Sequence, residues 1–182
     1  VFPLRQPMLM AFGITTVNAG TVISTDFKKP GNHIYLVRHT PRENHMPDTA
    51  QLKDNFGFVS ENIERGNILA AWSVGFGGVA EGLAKMAFGN RIGAEVEMDE
   101  AELFGYAYGS ILVESAVELT HPAAGLLGMT AAEGALTVNG VKMPLDALYK
   151  ANTEKFAAVY PDKGENHAGV MTSEPAPRTF AY

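Results

Sequence analysis

The sequence contains no cysteine, and this absence excludes several kinds of chemistry from a chain of 182 residues. Disulfide bonds, thiolate metal ligands and a cysteine nucleophile are all excluded. A chain without cysteine is consistent with a reducing compartment, so we expect a cytoplasmic location. No apolar run approaches the roughly twenty residues that a membrane-spanning helix requires, and the sequence therefore predicts no membrane partner.

Basic clusters are also absent. The formal net charge is −6 at pH 7, with 14 lysines and arginines against 20 aspartates and glutamates. We do not expect such a chain to bind nucleic acid, because the phosphate backbone attracts positive charge. The Gly-Lys-Ser/Thr triplet of P-loop ATPases and the Gly-x-Ser-x-Gly turn of hydrolases are missing as well. The remaining composition, 46% hydrophobic and 19% charged, is typical of a globular domain.

One central stretch organises the chain. Residues 67–72 are an apolar run that predicts a buried strand, and a glycine-rich turn follows it. A helix is predicted next, because apolar residues recur at helical spacing: Val79, Leu83, Met86 and Ala87. Glu81 and Lys85 are spaced for a helical ion pair, and Gly89 is predicted to end the helix in the left-handed conformation. Alternation over residues 92–98 predicts a second strand.

The glycine-rich turn is the candidate site. Unpaired N–H groups and the positive end of the helix dipole attract anions such as phosphate, and glycines let the anion approach the backbone. This interpretation predicts nucleotide or phosphate contacts, with Ser73 adding a hydroxyl, at Ser73, Gly75, Phe76, Gly77 and Gly78. The alternative is that Gly77 and Gly78 only permit tight packing of the helix against the sheet.

Strands are predicted on both sides of the central unit. Apolar or alternating runs place them at residues 8–17, 33–38, 110–117 and 125–129, with a hairpin over 135–143. The hairpin is predicted to turn at Asn139-Gly140, which is a strong two-residue turn signal. Residues 26–31 are predicted to form a turn around Pro30 and Gly31.

Helices are predicted between these strands. Asp48 is expected as an N-cap, with Gln51 completing a capping box and Gly66 ending the helix. The apolar stripe of this helix is predicted to be Leu52, Phe56, Val59 and Ile63. Residues 99–104 predict a helical turn, and Pro144 is expected as the first residue of a last helix that continues to residue 160. Residues 161–182 show no periodicity and are interpreted as an extended linker.

Other candidate sites are weaker. The histidines His33, His39 and His45 are six residues apart, but they fall at a strand end and in a loop, so a shared metal is not implied. An acidic run could hold magnesium, or its residues could belong to the solvent-exposed side of a strand and to the first turn of a helix. The run consists of Glu95, Glu97, Asp99, Glu100 and Glu102. The sequence assigns no metal site and no catalytic residue.

Several stretches resemble a known superfamily. Residues 26–32, before a Tyr-Leu-Val strand, are similar to the opening of the C-terminal domain of the aminoimidazole ribonucleotide (AIR) synthetase superfamily. Residues 77–94 resemble the phosphoribosylformylglycinamidine (FGAM) synthases within it, and residues 102–104, 109–114 and 136–140 match as well. Residues 175–180 are similar to the linker that runs into a glutaminase domain in the large single-chain form.

The resemblance implies a fold, a division of the chain and an activity. The fold would be α+β, a mixed β-sheet with packed helices in three α/β/α layers, as in the AIR synthase C-terminal domain. Residues 1–160 would form this domain, from the second synthetase half, and 161–182 a linker toward a missing glutaminase domain. The start at Val1 is what a piece of a longer chain would show. The activity is ATP- and glutamine-dependent conversion of formylglycinamide ribonucleotide to formylglycinamidine ribonucleotide in purine biosynthesis.

The resemblance also fixes expectations about ligands and partners. ATP and magnesium would serve the full enzyme, with none retained by this chain, which is expected to be inactive alone. Its partners would be a small-molecule substrate and the other domains of the same chain, and the isolated domain could form a homodimer. The family turn reads His-Asp-Val-Ser-acidic-Gly-Gly-Leu, whereas Ser73 replaces the aspartate here and Phe76 the acidic residue. Two alternatives therefore stay open, a scaffolding domain without catalytic contact and a free-standing small-molecule binder.

Overall fold

The protein is described by a computed structural model that covers residues 10–155 and residue 159. The chain divides into two compact units, Val1–Leu145 and Asp146–Tyr182, and each is described by itself. The predicted linker 161–182 and the end of the predicted last helix lie outside the described residues.

The first unit is built on a seven-stranded sheet. Its strands are β1 (His33–Val37), β2 (Ile68–Ser73), β3 (Gly93–Val96), β4 (Ile111–Ser115), β5 (Ala124–Ala131), β6 (Ala135–Val138) and β7 (Val141–Pro144). They lie in the order β2-β4-β1-β5-β3-β6-β7. β3 and β6 pair in parallel, while the other neighbouring strands pair antiparallel, so the sheet is mixed.

Three helices belong to this unit, namely α1 (Thr49–Glu64), α2 (Gly78–Phe88) and the short α3 (Glu100–Phe104). Asp48 caps α1 by accepting the N–H groups of Ala50 and Gln51, at 3.0 and 3.1 Å, as its sequence predicts. Asp99 caps α3 in the same way. The second unit contains α4 (Leu145–Glu154), which begins at the last residue of the first unit.

Helices pack on both faces of the sheet. On one face, Val59 of α1 joins a buried cluster with Tyr35, Val37 and Val113. Leu112, the neighbour of Val113, points to the opposite face, because successive strand residues alternate. There it contacts α2: a Cβ added to Gly82 would lie 3.2 Å from Leu112 Cδ2. The α+β class and the three α/β/α layers are therefore confirmed.

The strand predicted over residues 8–17 is wrong in its described part, because residues 10–17 form no strand. Phe12 and Ile14 are 89% and 99% exposed, so neither side chain is buried against the described residues, and no described strand pairs with this segment. Its apolar composition satisfies the sequence pattern, but a strand also needs a neighbour to pair with.

The predicted stripe of α1 is wrong at Phe56, which is 46% exposed. Two asparagines are buried on this helix instead. Asn55 donates to the carbonyl of Arg38 at 2.9 Å, and Asn62 donates to the carbonyl of Phe58 at 2.8 Å. Hydrogen bonds thus allow polar side chains to take core positions that hydrophobicity alone assigns to Phe56.

Three local predictions need correction. Gly89 ends α2 but keeps right-handed helical angles, and Arg91 takes the left-handed conformation at φ 56°. An added Cβ at Gly89 would lie 2.0 Å from Asp26 Oδ1, so a larger residue there would require the Asp26 side chain to move. Pro144 is the last residue of β7, not the first of α4. Gln51 does not complete a capping box, since its Oε1 accepts from Thr40 N–H.

Candidate functional site

The glycine turn connects β2 to α2 at one edge of the sheet. Ser73 is the last residue of β2, and the N–H of Val74 donates to the carbonyl of Ser110 at 3.0 Å, which ties the turn to the segment before β4. Gly77 is the N-cap of α2 and has no side-chain capping bond. The five predicted site residues therefore run from the last residue of β2, through the turn, to the first residue of α2, as their adjacency in sequence requires.

The five residues differ in how much surface they offer to a ligand. Ser73 and Phe76 are exposed, and Gly75 and Gly77 are half-buried. Gly78 is buried, so it offers little surface to a ligand.

Both glycines at the start of α2 are required by close packing. Gly78 has φ +68°, and a Cβ there would lie 2.7 Å from the carbonyl oxygen of Leu103. At Gly77 a Cβ would lie 2.6 Å from both Cβ and Oε2 of Glu81. Packing of α2 against the α3 segment therefore explains Gly78, and the Glu81 side chain of α2 itself explains Gly77, so neither glycine needs a ligand to account for it. This is the alternative interpretation of the sequence.

An internal carboxylate already lies at the N-terminus of α2. Glu81 Oε2 accepts the N–H of Gly77 at 3.0 Å, and Oε1 accepts Lys85 Nζ at 2.6 Å, so the predicted ion pair is confirmed. The hydrogen bond from Lys85 and that from Gly77 hold the pKa of Glu81 below its ordinary value of 4.5, against the opposing effect of partial burial. The N–H of Gly78 donates to the carbonyl of Gly75 at 3.2 Å. With the N–H of Val74, three N–H groups of the turn are therefore used within the chain.

Lys85 also lies over the ring of Trp72, with Nζ 5.5 Å from the ring centroid. The ammonium group of this lysine thus interacts both with the Glu81 carboxylate and with the Trp72 ring of β2. Because Glu81 is paired, the turn offers no free carboxylate to a magnesium ion, and its remaining donors are the Ser73 hydroxyl and backbone N–H groups.

An aromatic cluster beside the turn was missed by the sequence analysis. The ring of Phe76 lies 5.8 Å from that of Tyr106, and Tyr106 stacks on Tyr108 at 5.8 Å with an interplanar angle of 9°. All three side chains are more than half exposed. The two tyrosines, spaced two apart just before β4, were the available signal, but nothing in the sequence places them beside Phe76.

A buried histidine joins three segments near this edge. The N–H of Asp48 donates to His39 Nε2 at 3.1 Å, and His39 Nδ1 lies 2.9 Å from the carbonyl oxygen of Tyr108. A neutral ring with its proton on Nδ1 satisfies both contacts. The backbone N–H of His39 also donates to Ser110 Oγ at 2.9 Å. His39 therefore ties the end of β1 to the start of α1 and to the segment before β4.

Within residues 10–155, no group of three or more His, Asp or Glu side chains is arranged to hold a metal ion. His39 uses both ring nitrogens in hydrogen bonds, while His45 occupies a turn at φ 60°. No helix in this part of the chain is both long and apolar enough to span a membrane.

Comparison with solved structures identifies proteins with this fold. Phosphoribosylformylglycinamidine synthase II from Thermotoga maritima matches 91% of this chain at a TM-score of 0.62 and 17% identity, over 31% of its own length. PurLQS from the same organism matches 91% at 0.61 and 16% identity, also over 31% of its length. T. maritima PurL complexed with ADP matches 71% at 0.59 and 18% identity, over 27% of its length.

These likenesses establish the fold class as that of a domain in the synthase structures. The chain spans less than a third of each of these proteins. Neither the protein-family models nor the curated proteins give a match.

Proposed function

We propose that this chain is the C-terminal AIR-synthase-related domain of the second synthetase half of an FGAM synthase. The observation that carries the proposal is a fold shared over 91% of the chain with the T. maritima synthase. This chain also has a β2–glycine turn–α2 unit where its sequence resembles that family. The whole enzyme would be an ATP-dependent C–N ligase of the cytoplasm. It would convert formylglycinamide ribonucleotide to formylglycinamidine ribonucleotide with glutamine as the ammonia source.

The proposal assigns ligands and partners to the whole enzyme. ATP and magnesium would act there, and neither is expected to stay bound to this chain on its own, where the Glu81 carboxylate beside the turn is paired with Lys85. The partners would be the other synthetase domains and a glutaminase domain of the same chain, with a homodimer possible for the isolated domain. Solved neighbours are complexed with ADP and with formylglycinamide ribonucleotide (FGAR), and these are the ligands to test.

Within that enzyme, we propose a backbone contact from the turn to a nucleotide or phosphate, at Ser73, Gly75, Phe76, Gly77 and Gly78. Support comes from the position of the turn at the N-terminus of an eleven-residue helix and after β2, the terminal strand of the described sheet. A bound anion would have to displace the Glu81 carboxylate from the N–H of Gly77. Glu81 is therefore an internal competitor for any phosphate at this turn.

The test removes that competitor. Calorimetric titration with ADP and with FGAR, each with magnesium, compares the wild-type chain with Glu81→Ala. Loss of the carboxylate is expected to tighten binding roughly twofold to fivefold, the size of a partly exposed charge interaction. Glu61→Ala is the matched control, because Glu61 also forms an i,i+4 pair, with Arg65 at 3.2 Å, but on α1.

A second candidate role is scaffolding without ligand contact. The close packing of Gly77 and Gly78 and the Glu81 hydrogen bond favour it. Absence of binding by both the wild-type chain and Glu81→Ala, with both folded, would contradict the ligand contact and leave the scaffold role.

A further inference from the structure

The hairpin between β6 and β7 turns on the only Asn-Gly pair in the sequence, Asn139-Gly140. Val138 pairs with Val141, so the loop has two residues, and both have positive φ, 50° and 77°. These angles fit the turn type that a two-residue hairpin favours. Asn139 is exposed, and a Cβ placed on Gly140 would meet nothing within 4 Å. The turn is thus open on the side of its glycine.

The side chain of Asn139 is held at both ends by one residue. Met98 N–H donates to Asn139 Oδ1 at 2.9 Å, and Asn139 Nδ2 donates to the Met98 carbonyl at 2.8 Å. The backbone N–H of Asn139 donates to the carbonyl of Val96 at 3.0 Å. This pair of side-chain bonds, the Met98 clamp, fastens the hairpin turn to the segment that follows β3.

We propose that Asn139 is a self-modification site, and that release of the Met98 clamp controls its deamidation. The backbone nitrogen of Gly140 attacks Cγ of Asn139, the Cγ–Nδ2 bond breaks, and ammonia leaves with the proton of the attacking N–H. Water then opens the resulting cyclic imide at either carbonyl, which gives aspartate or isoaspartate. No oxidant, reductant or enzyme is required.

The clamp controls the rate because the reacting carbon cannot approach Gly140 while both ends of the amide bind Met98. Reaction therefore proceeds from a locally opened state, whose population is set by the bonds that must break. Glycine at the next position leaves the attacking nitrogen unhindered. Every other asparagine precedes a residue with a side chain, and Asn55 and Asn62 are buried as well.

The products cannot restore the clamp. Aspartate lacks the Nδ2 donor and brings a carboxylate oxygen against the Met98 carbonyl. Isoaspartate adds a methylene group to the backbone of a loop in which Val138 must pair with Val141. Either product is expected to detach the turn from the segment after β3.

The experiment incubates the full chain at mildly alkaline pH and follows each asparagine by peptide mass spectrometry. Asn139 is expected to react first. Met98→Pro removes the N–H donor, while Met98→Leu keeps it and serves as the matched control. Deamidation at Asn139 should be roughly threefold to tenfold faster in the proline variant. Loss of one hydrogen bond of ordinary net strength raises the population of the opened state by about that factor.

Two further measurements keep the test independent of the folding of that variant. The wild-type chain unfolded in urea should deamidate at Asn139 faster than the folded chain. Hydrogen exchange at the Met98 amide should accelerate in the deamidated product. The proposal is overturned if other asparagines react first, if folded and unfolded chains react equally fast, or if Met98 exchange is unchanged by deamidation.

Discussion

At the scale of single residues, Glu114 joins two stretches that are far apart in the sequence. Its carboxylate is fully buried in β4, and it accepts N–H groups from Lys28 at 2.7 Å, Lys29 at 3.1 Å and the Asn32 side chain at 2.6 Å. The turn over residues 26–32 and the strand that contains Glu114 are therefore joined by a single acceptor. Sequence reasoning treats a glutamate as a solvated residue, so it could not foresee this role.

Removal of this acceptor should be costly. Glu114→Ala removes the acceptor of three part-buried donors. A hydrogen bond to a charged group contributes about 1.5–3 kcal/mol, so a loss of at least about 1.5 kcal/mol is expected. Urea denaturation measures it. Glu118→Ala, an exposed glutamate four residues along, is the control and should change stability by less than about 0.5 kcal/mol. Equal stability of the two variants would refute the bridging role.

At the scale of elements, α1 depends on a charged cap. The hydrogen bond from the N–H of Gln51 is the main cause that holds the pKa of Asp48 below its ordinary value of 3.8, with help from Arg42. Because the pKa is lower in the folded state, the carboxylate stabilises the fold above the unfolded value. That contribution is lost as pH falls through the folded value.

Asp48→Asn and Asp48→Ala separate the charge from the cap. Asparagine still accepts a hydrogen bond, so the urea midpoint at neutral pH should fall less than with alanine. The difference in urea midpoint between wild type and Asp48→Asn should become smaller from about pH 6 to about pH 3, because the aspartate becomes protonated. A gap that does not change with pH would show that the charge contributes nothing.

Elements were predicted well where a local signal and a tertiary partner agree. The glycine turn, α2 and the hairpin at Asn139-Gly140 lie where the sequence places them. The failures arise where a distant partner decides. Residues 10–17 have a strand pattern without a neighbouring strand, and Asn55 is buried because the carbonyl of Arg38 accepts its side chain. The aromatic cluster at Phe76 forms because β2 and β4 are neighbours in the sheet. The periodicity of a single sequence does not reveal which strands are neighbours.

At the scale of the whole molecule, the proposed function implies that this chain is inactive by itself. It spans 31% of the T. maritima synthase, and neither a catalytic residue nor a free carboxylate is assigned to its turn. Incubation of the chain with formylglycinamide ribonucleotide, ATP, magnesium and glutamine should give no amidine above the rate without protein. A complete synthase in the same assay is the positive control. Measurable product from the chain alone would disprove this expectation.

The order of the strands also has a kinetic consequence. Within the described part of the chain, β6 and β7 are the only sheet neighbours that are consecutive in sequence. The interior strand β1 pairs with β4 and β5, so Val37 meets Ile111 and Ala124, more than seventy residues away. Such pairings require long loops to close before they contribute any stabilisation, and sheets of high contact order fold slowly. The β6–β7 hairpin can form early, but the sheet assembles only after its distant segments have met.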